Sequence, residues 1–378
     1  MTARRWVLCA LLAIPGIASA ANAPEQAANS VPTFTAPAGF RVDVLADVPK
    51  ARSIVLAGPD TLFVSTQFAG QLYAITNAFG PAPVVRVIAE KLKIPNGIAF
   101  ADGDLYVAQP DRLIRFRKVL DQLDGLGEPE VIVDDLPAGK LHSWRYLAFG
   151  PDGKLYMSIG APCNICDAPG TALILRMNRD GSEREVYARG IRNSVGFDWH
   201  PVTGELWFTD NGRDMLGDDK PADELNRAPA AGLHFGFPFC HGGNIVDPDP
   251  AMAALGRCSD AEPPAQALPA HVAAVGMAFY TGTMFPPEYR GQVFIAEHGS
   301  WNRSSKIGYR VSLVRLDASG KEALGYEPFI EGWLNGETAT GRPADILVAP
   351  DGSLLVSDDQ AGKIYRVSYT GASPEQKK

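Results

Sequence analysis

The residues with the clearest chemical potential lie between Gly190 and Asn226. Arg192 stands beside Asn193, and because a guanidinium stays charged at physiological pH, this pair suits an anionic ligand. After an apolar strand at Leu206–Thr209, the chain becomes dense in oxygen-bearing side chains: Asp210, Asn211, Asp214, Asp218, Asp219, Asp223 and Glu224. Oxygen ligands at this density favour Ca²⁺ over a soft metal. An acidic, solvated loop is the alternative.

Two further stretches carry ionisable side chains beside predicted strands. His142 lies in K-L-H-S-W-R-Y-L-A-F-G and is a candidate general base, because the pKa of an imidazole lies near neutrality. Taken alone, such a histidine is more often a hydrogen-bonded loop residue. The segments A-E-H-G-S-W-N-R-S-S-K and G-R-P-A-D-I add His298, Trp301, Asn302, Arg303, Lys306 and Arg342. Trp301 can stack on a planar ligand, and the cations can bind carboxylates.

Composition and missing motifs exclude several functional classes. A formal net charge of -8 argues against a nucleic-acid partner, which a basic patch normally recognises. No glycine-rich nucleotide-binding loop joins a strand to a helix, which disfavours NAD and FAD, and no G-x-S-x-G elbow is present.

One pattern recurs along the chain, a turn containing Asp, Pro or Gly followed by a short apolar strand. Its copies lie at 58–65, 101–108, 150–158, 200–209, 289–296 and 349–357. Regular short strands of this kind predict an all-β fold, a six-bladed β-propeller of four-stranded antiparallel blades over residues 33–372. We expect Gly39–Leu45 to close the ring beside Tyr365, and an insertion on the functional face between the fourth and fifth copies. A β-sandwich or two β domains are the alternatives.

The N-terminus has the features of an export signal. Arg4 and Arg5 precede an apolar run, Trp6–Ile17, that is too short to span a bilayer, and the small residues A-S-A follow. We therefore predict a cleaved signal peptide over 1–20, a flexible lead over 21–32, a disordered tail over 373–378, and a periplasmic or secreted protein without stable membrane insertion. An uncleaved anchor is the alternative.

The mature chain would hold an even number of cysteines, which in an exported protein predicts disulfides. The expected pairs are Cys163–Cys166 and Cys240–Cys258. A redox or zinc role for C-N-I-C is the alternative, although no second C-x-x-C follows.

Several longer motifs resemble the quinoprotein glucose/sorbosone dehydrogenase family, in its L-sorbosone dehydrogenase branch. They are K-L-H-S-W-R-Y-L-A-F-G-P-D-G-K-L-Y, A-R-G-I-R-N-S-V-G-F-D-W-H-P, W-F-T-D-N-G-R-D-x-L-G-D-D-x-P-x-D-E-L-N, H-F-G-F-P-F-C-H-G and A-E-H-G-S-W-N-R. The resemblance covers about residues 35–370 and implies a six-bladed propeller that binds pyrroloquinoline quinone (PQQ) and Ca²⁺ at the channel mouth.

The resemblance also implies roles for individual residues. His142 would be the general base, and Arg192 would steady the reduced quinone oxygen. The residues implied or expected to contact the cofactor are Asn193, Asn211, His298, Trp301, Arg303, Lys306 and Arg342. Gly212 and Arg213 would give backbone carbonyls to the catalytic Ca²⁺, and Asp223 and Glu224 would belong to a second, structural calcium. Lys306 or Arg303 is the expected substitute for a family lysine, and a second arginine is missing at its usual spacing before Arg342.

The implied function is oxidation of a sugar or sugar-derived aldehyde, with hydride transfer to PQQ. Electrons would pass to an external acceptor, a cytochrome or a quinone, because the chain carries no haem-attachment motif. A calcium-dependent lactonase of the same architecture and a non-catalytic binding propeller are the alternatives. A cluster of His142, Arg192 and Arg342 would speak against the lactonase.

Overall fold

The six sequence repeats form six blades, each with four antiparallel strands, in the computed structural model, which describes residues 32–371; a fifth, parallel strand adds to the third blade. Each repeat provides the second strand of its sheet, and Leu155–Ile159 is buried along its whole length. The first strand of the last sheet contacts that of the first sheet, which closes the ring. The predicted six-bladed propeller is confirmed. The predicted signal peptide, the lead as far as Val31 and the tail lie outside the described residues.

The chain enters with strand β1 (Phe40–Asp47) and then builds blades 1 to 3 in order. Their strands are β2 (Ile54–Leu56), β3 (Thr61–Ser65), β4 (Leu72–Thr76), β5 (Val84–Ala89); β6 (Ile98–Ala101), β7 (Asp104–Ala108), β8 (Leu113–Phe116), β9 (Glu130–Val133); and β10 (Leu147–Phe149), β11 (Leu155–Ile159), β12 (Leu173–Met177), β13 (Glu185–Arg189). Short 3₁₀ turns lie at Gln67–Ala69 and Val119–Asp121.

Blades 4 to 6 follow with the same order but with additions between strands. Blade 4 has β14 (Phe197–Trp199), β15 (Leu206–Asp210) and β16 (Asp223–Ala228); after β17 (Leu233–His234), β18 (Cys240–His241), β19 (Ile245–Val246), helix α1 (Pro250–Ala253) and a 3₁₀ turn (Cys258–Asp260), it ends with β20 (Gln266–Leu268). Blade 5 has β21 (Ala274–Phe279), a 3₁₀ turn (Pro287–Tyr289), β22 (Val293–Glu297), β23 (Arg310–Leu316) and β24 (Ala323–Ile330). A hairpin of β25 (Leu334–Asn335) and β26 (Thr338–Ala339) precedes β27 (Pro343–Val348), β28 (Leu354–Asp358) and β29 (Lys363–Tyr369) of blade 6.

Strand β1 completes blade 6 and thereby joins the two ends of the described chain. It pairs antiparallel with β29, with Val44 opposite Tyr365, as predicted. Phe40 anchors the strand in the core, with its ring centroid 4.8 Å from that of Phe285 and 5.0 Å from that of Phe329. Burying an aromatic side chain stabilises a fold by about 1.5–3 kcal/mol, so this contact holds the ring closed.

The predicted insertion lies between β16 and β20. Its strand β17 pairs in parallel with β13 of blade 3, so the insertion bridges blades 3 and 4. The Cys240–Cys258 disulfide closes it, and the Cys163–Cys166 disulfide closes the loop after β11. Both predicted bridges are confirmed.

Hydroxyl groups on three of the second strands tie one blade to the next near the centre. Thr209 donates to the carbonyl of Val275 at 2.6 Å, and Ser357 donates to the carbonyl of Arg52. Because the first two strands of a blade are antiparallel, residues before the first strand and after the second lie at the same edge. Predicted residues before a first strand, such as Arg192 and Arg342, and predicted residues after a second strand, such as Asn211, therefore reach the same edge.

Candidate functional site

A cavity of about 840 Å³ opens at this edge of the propeller, a volume suited to a cofactor and a small substrate. The predicted residues that line it are His142, Arg192, Asn193, Asn211, Gly212, Asp223, His298, Trp301 and Arg342. Arg213 and Glu224 line a much smaller cavity beside it, which shares Arg192 and Asn211 with the large one. Residues distant in sequence are thus brought to one site.

His142 is held in one orientation and one tautomer. Its Nδ1 lies 2.7 Å from the carbonyl oxygen of Ala161, which can only accept, so Nδ1 carries the hydrogen and Nε2 keeps a lone pair. Burial, with a further effect of Arg192, lowers the pKa of His142 to about 4. The imidazole is therefore neutral at physiological pH and can accept a proton through Nε2.

The backbone around His142 is shaped to present it. His142 has a φ of 48°, in the left-handed region that side-chain-bearing residues avoid. Gly160 packs against it so closely that a Cβ there would lie 2.6 Å from the Cβ of His142. The Arg145 guanidinium, which is only 1% exposed, donates to the carbonyls of Pro110 and Pro137 and organises this loop.

Arg192 is fixed by a dense hydrogen-bond network. Its Nε donates to the Asn164 carbonyl at 2.9 Å, its Nη1 to the Asn211 carbonyl at 3.2 Å, and its Nη2 to Asn164 Oδ1 and to Asp214 at 2.9 and 2.7 Å. A guanidinium has five N–H donors, so one Nη1–H of Arg192 remains for a ligand. Asn164 lies between the two cysteines of the Cys163–Cys166 disulfide, so this disulfide positions Asn164 against Arg192.

The side of the cavity predicted to hold calcium combines carbonyl and amide oxygens. Asn193 Oδ1 is buried and has no hydrogen-bond partner among the described residues. Asp223 uses both oxygens on backbone N–H groups, those of Gly212 at 2.8 Å and Ala273 at 2.7 Å, so it shapes the turn at Gly212. Within residues 32–371, no group of three His, Cys, Asp or Glu side chains is arranged to hold a metal. A cation here would depend on backbone carbonyls.

Three buried carboxyl groups lie behind that turn. Burial raises the pKa of Asp210 to about 7, that of Asp223 to about 6 and that of Glu224 to about 8, and the neighbouring Asp210 further raises that of Glu224. Asp210 accepts from the backbone N–H groups of Arg192 and Asn193 at 2.8 and 2.6 Å. Asp210 thereby fixes the two residues that face the cavity.

Two arginines form the opposite wall. Arg342 donates to the carbonyls of His298 and Gly299 at 2.9 and 3.0 Å. Arg52, which is 5% exposed, places Nη1 2.7 Å from Asp359 and 2.9 Å from His298 Nε2. Although burial raises the pKa of Asp359, its contacts with His298 and Arg52 bring it well below its usual range. Each arginine keeps at least three of its five N–H donors unused by the described residues.

Arg303 and Lys306 are not among the residues that line either cavity. Arg303 pairs with Asp219 at 3.0 Å, and Lys306 donates to the backbone carbonyl of Glu337. The loop after β22 turns these cations toward acidic surface loops, so the structure does not bring the expected lysine substitute to the cavity. Trp301 does reach it, at the mouth, with 68% of its surface exposed.

Sequence reasoning missed Arg52, Asp359 and Asn164. Arg52 had a usable signal, because it opens the segment R-S-I-V-L at 52–56, which leads into an innermost strand. Arg192 opens R-N-S-V-G-F at 192–197 and Arg342 opens R-P-A-D-I at 342–346 in the same position relative to their strands. Asn164 had no comparable signal, since only the folded disulfide loop carries it to Arg192.

Comparison with known proteins gives one family and a set of structures with the same fold. The TrAA12-like family matches residues 34–370. An uncharacterized protein of Borreliella burgdorferi (strain ATCC 35210 / DSM 4680 / CIP 102532 / B31) is 35% identical over 351 residues, which cover 89% of this chain and 91% of that protein.

Three solved structures illustrate the likeness. The holo form of the pyranose dehydrogenase PQQ domain from Coprinopsis cinerea has a TM-score of 0.74 at 19% identity, covering 89% of this chain and 97% of that one. The calcium structure of Trichoderma reesei Carbohydrate-Active Enzymes Family AA12 has a TM-score of 0.75 at 18% identity, covering 90% and 98%. The PQQ-bound aldose sugar dehydrogenase of Streptomyces coelicolor has a TM-score of 0.62 at 21% identity, covering 88% and 99%. At these identities the likeness shows a shared fold, and the family match shows the relationship: the chain belongs to the TrAA12-like family.

Proposed function

We propose that this protein binds PQQ and Ca²⁺ in the large cavity and oxidises a sugar or sugar-derived aldehyde of the aldose or sorbosone type. The observation that carries the proposal is a neutral His142 facing the same cavity as two arginines with unused N–H donors. PQQ-bound and calcium-bound proteins of the same fold support it.

The residues of the cavity fit a planar, multiply charged cofactor. PQQ carries three carboxylates, and Arg52 and Arg342 can each offer a fork of N–H groups to one. Neither guanidinium is free to swing away, since Asp359 holds Arg52 and two backbone carbonyls hold Arg342. Pre-organised cations of this kind cost little entropy when an anion binds.

The opposite side fits a hard cation shared with that cofactor. The carbonyl oxygens of Gly212 and Arg213 accept no backbone hydrogen bond among the described residues, and Asn193 Oδ1 is unpaired. Ca²⁺ takes oxygen ligands in flexible geometry, so these oxygens suit it, and the cofactor would complete the set. Asp223 and Glu224 remain proposed for a second ion.

The chain's own contribution to the chemistry centres on one proton. His142 Nε2 would accept the proton of the sugar hydroxyl, and the Ala161 carbonyl would stabilise the resulting imidazolium through Nδ1–H. Arg192, with one N–H left, would steady negative charge that develops in the cavity. When bound, the quinone would accept the hydride from the sugar carbon.

We further propose export of the protein and an external electron acceptor, a cytochrome or a quinone. The export features of the N-terminal sequence and the two disulfides support an oxidising compartment. No helix within residues 32–371 is long and apolar enough to cross a membrane.

Reconstitution tests the proposal. Purified protein is titrated with PQQ in the presence of Ca²⁺, and dye reduction is then measured over a panel of sugars and aldehydes. We expect saturable binding and turnover; His142→Ala should keep binding and lose most turnover. Arg52→Gln and Arg342→Gln should weaken PQQ binding at least tenfold, whereas Arg303→Gln, outside the cavity, should not. Absence of saturable PQQ binding by the wild-type protein would refute the proposal.

A further inference from the structure

Two aromatic side chains are exposed at the mouth of the cavity. Phe68 is 72% exposed and Trp301 is 68% exposed, and both line the cavity. Every other Phe, Tyr and Trp of residues 32–371 is at least partly buried. Single exposed apolar residues are ordinary, but both exposed aromatic rings at one cavity mark a ligand-binding surface.

Phe68 is exposed because its backbone is fixed in that position. It lies in the 3₁₀ turn Gln67–Ala69, which begins with Gln67 at a φ of 48°. The Gln67 side chain is buried and donates to Asn96 Oδ1 at 3.1 Å, which holds the turn against blade 2. The ring of Phe68 meets the edge of Trp144 with centroids 5.9 Å apart. The turn therefore presents a ring instead of burying it.

Trp301 is presented by a second fixed loop. The neighbouring Ser300 accepts through Oγ from the Ile307 N–H at 3.0 Å, and its carbonyl accepts from the Tyr309 hydroxyl at 2.7 Å. Gly299 has a φ of 97°, and a Cβ there would lie 2.3 Å from the Tyr309 ring. The loop closes tightly on itself, and the indole of Trp301 stays exposed at its tip.

The two rings lie on opposite sides of the opening. Phe68 follows β3 of blade 1 and reaches Trp144 before β10 of blade 3, so this pair covers the sector of blade 2. Trp301 follows β22 of blade 5, which stands across the ring from blade 2 in a six-bladed propeller. Phe68 and Trp301 therefore flank the opening from opposite blades.

We infer that Phe68 and Trp301 bind a second pyranose ring, and that the substrate class includes saccharides of two or more linked rings. This inference rests on the proposed function for the reacting ring. The C–H faces of a pyranose pack on aromatic rings, while its hydroxyls suit the neutral Thr66 and Gln360 that line the same cavity. The reacting terminal ring lies deeper, toward His142, and its neighbour lies between the aromatic rings.

Kinetics with glucose and cellobiose test the inference on the PQQ- and Ca²⁺-loaded full chain. Phe68→Ala should raise KM for cellobiose about tenfold and change KM for glucose less than twofold, with kcat retained, and Trp301→Ala should raise KM for cellobiose by a similar factor. Leu324→Ala is the matched control, because Leu324 is also 68% exposed but lies on β24, away from the cavity. Calorimetric titration with cellobiose in a His142→Ala background measures the same loss without turnover.

Each outcome decides the matter. Unchanged cellobiose affinity in both variants overturns the inference, as does an equal loss for glucose, which would put the rings against the reacting ring. A change confined to KM for a cytochrome acceptor also overturns it and assigns the rings to protein docking. If no sugar is oxidised but the variants still weaken cellobiose binding, the proposed oxidation fails while the second-ring site stands.

Discussion

Replacing Gly160 by alanine should disable the proposed base without touching any charged group. A Cβ on Gly160 would lie 2.6 Å from the Cβ of His142 and 2.7 Å from its carbonyl oxygen, whereas ordinary contacts begin at 3.4 Å. The atoms must therefore part by about 0.8 Å, and this shift strains the two contacts that position His142, those of its Nδ1 with the Ala161 carbonyl and of its own carbonyl with Arg145. A displacement near 1 Å costs about 100-fold in a positioned reaction.

The assay compares dye reduction by Gly160→Ala and wild type at saturating PQQ and Ca²⁺. We expect kcat to fall about 100-fold, with PQQ affinity within threefold of wild type and a stability loss of about 1–3 kcal/mol from overpacking. Gly325→Ala is the control, since a Cβ there meets nothing within 4 Å, and it should behave as wild type. Full activity of a folded Gly160→Ala protein would refute the assignment of His142 as the base.

Three further predictions follow from the same contacts. Since the pKa of His142 is lowered to about 4, protonation of the imidazole should lower kcat/KM near pH 4, below the range in which Asp210, Asp223 and Glu224 titrate. A pH–rate profile with no loss of kcat/KM between pH 5 and pH 3 would contradict this. Asn164→Ala removes the side-chain oxygen that accepts from Arg192 and from the Asp214 N–H, so kcat should drop about tenfold while the midpoint of the pH–rate profile stays unchanged. Stopped-flow dye reduction measures this, and a wild-type rate would show that Asn164 is dispensable. Arg145→Met leaves the buried carbonyls of Pro110 and Pro137 without their donor, so the free energy of unfolding should fall by about 3 kcal/mol or more. Urea denaturation measures this, and a loss under 1 kcal/mol would contradict the role of Arg145 in the loop.

The architecture could be predicted because each blade has a local sequence signal. Each turn-and-strand repeat forms the second strand of one blade. The strand-like segments around Val44 and Tyr365 likewise predicted the pairing of β1 with β29 that closes the ring. Local patterns also marked His142, Arg192 and Arg342, since each stands beside a strand that enters the cavity edge.

What the sequence missed depends on contacts between distant segments. Arg52 meets Asp359 across 307 residues, a pairing that exists only once blade 6 closes against blade 1. Arg303 and Lys306 carry the charge expected of a cofactor ligand, but their side chains bind Asp219 and Glu337 on other loops and do not enter the cavity. Residue type therefore indicated that cations line the cavity, but it did not indicate which residues supply all of them.

The most direct test of the account is the absorption spectrum of the loaded protein when sugar is added without an acceptor. Gel filtration in Ca²⁺ buffer removes excess PQQ from the wild-type protein. The eluted protein should show the absorption of one oxidised PQQ per chain, and this absorption should disappear when the sugar is mixed in. His142→Ala should keep the spectrum before and after mixing. A wild-type protein that elutes without the quinone, or keeps an oxidised spectrum with every sugar and aldehyde tried, would contradict the central claim.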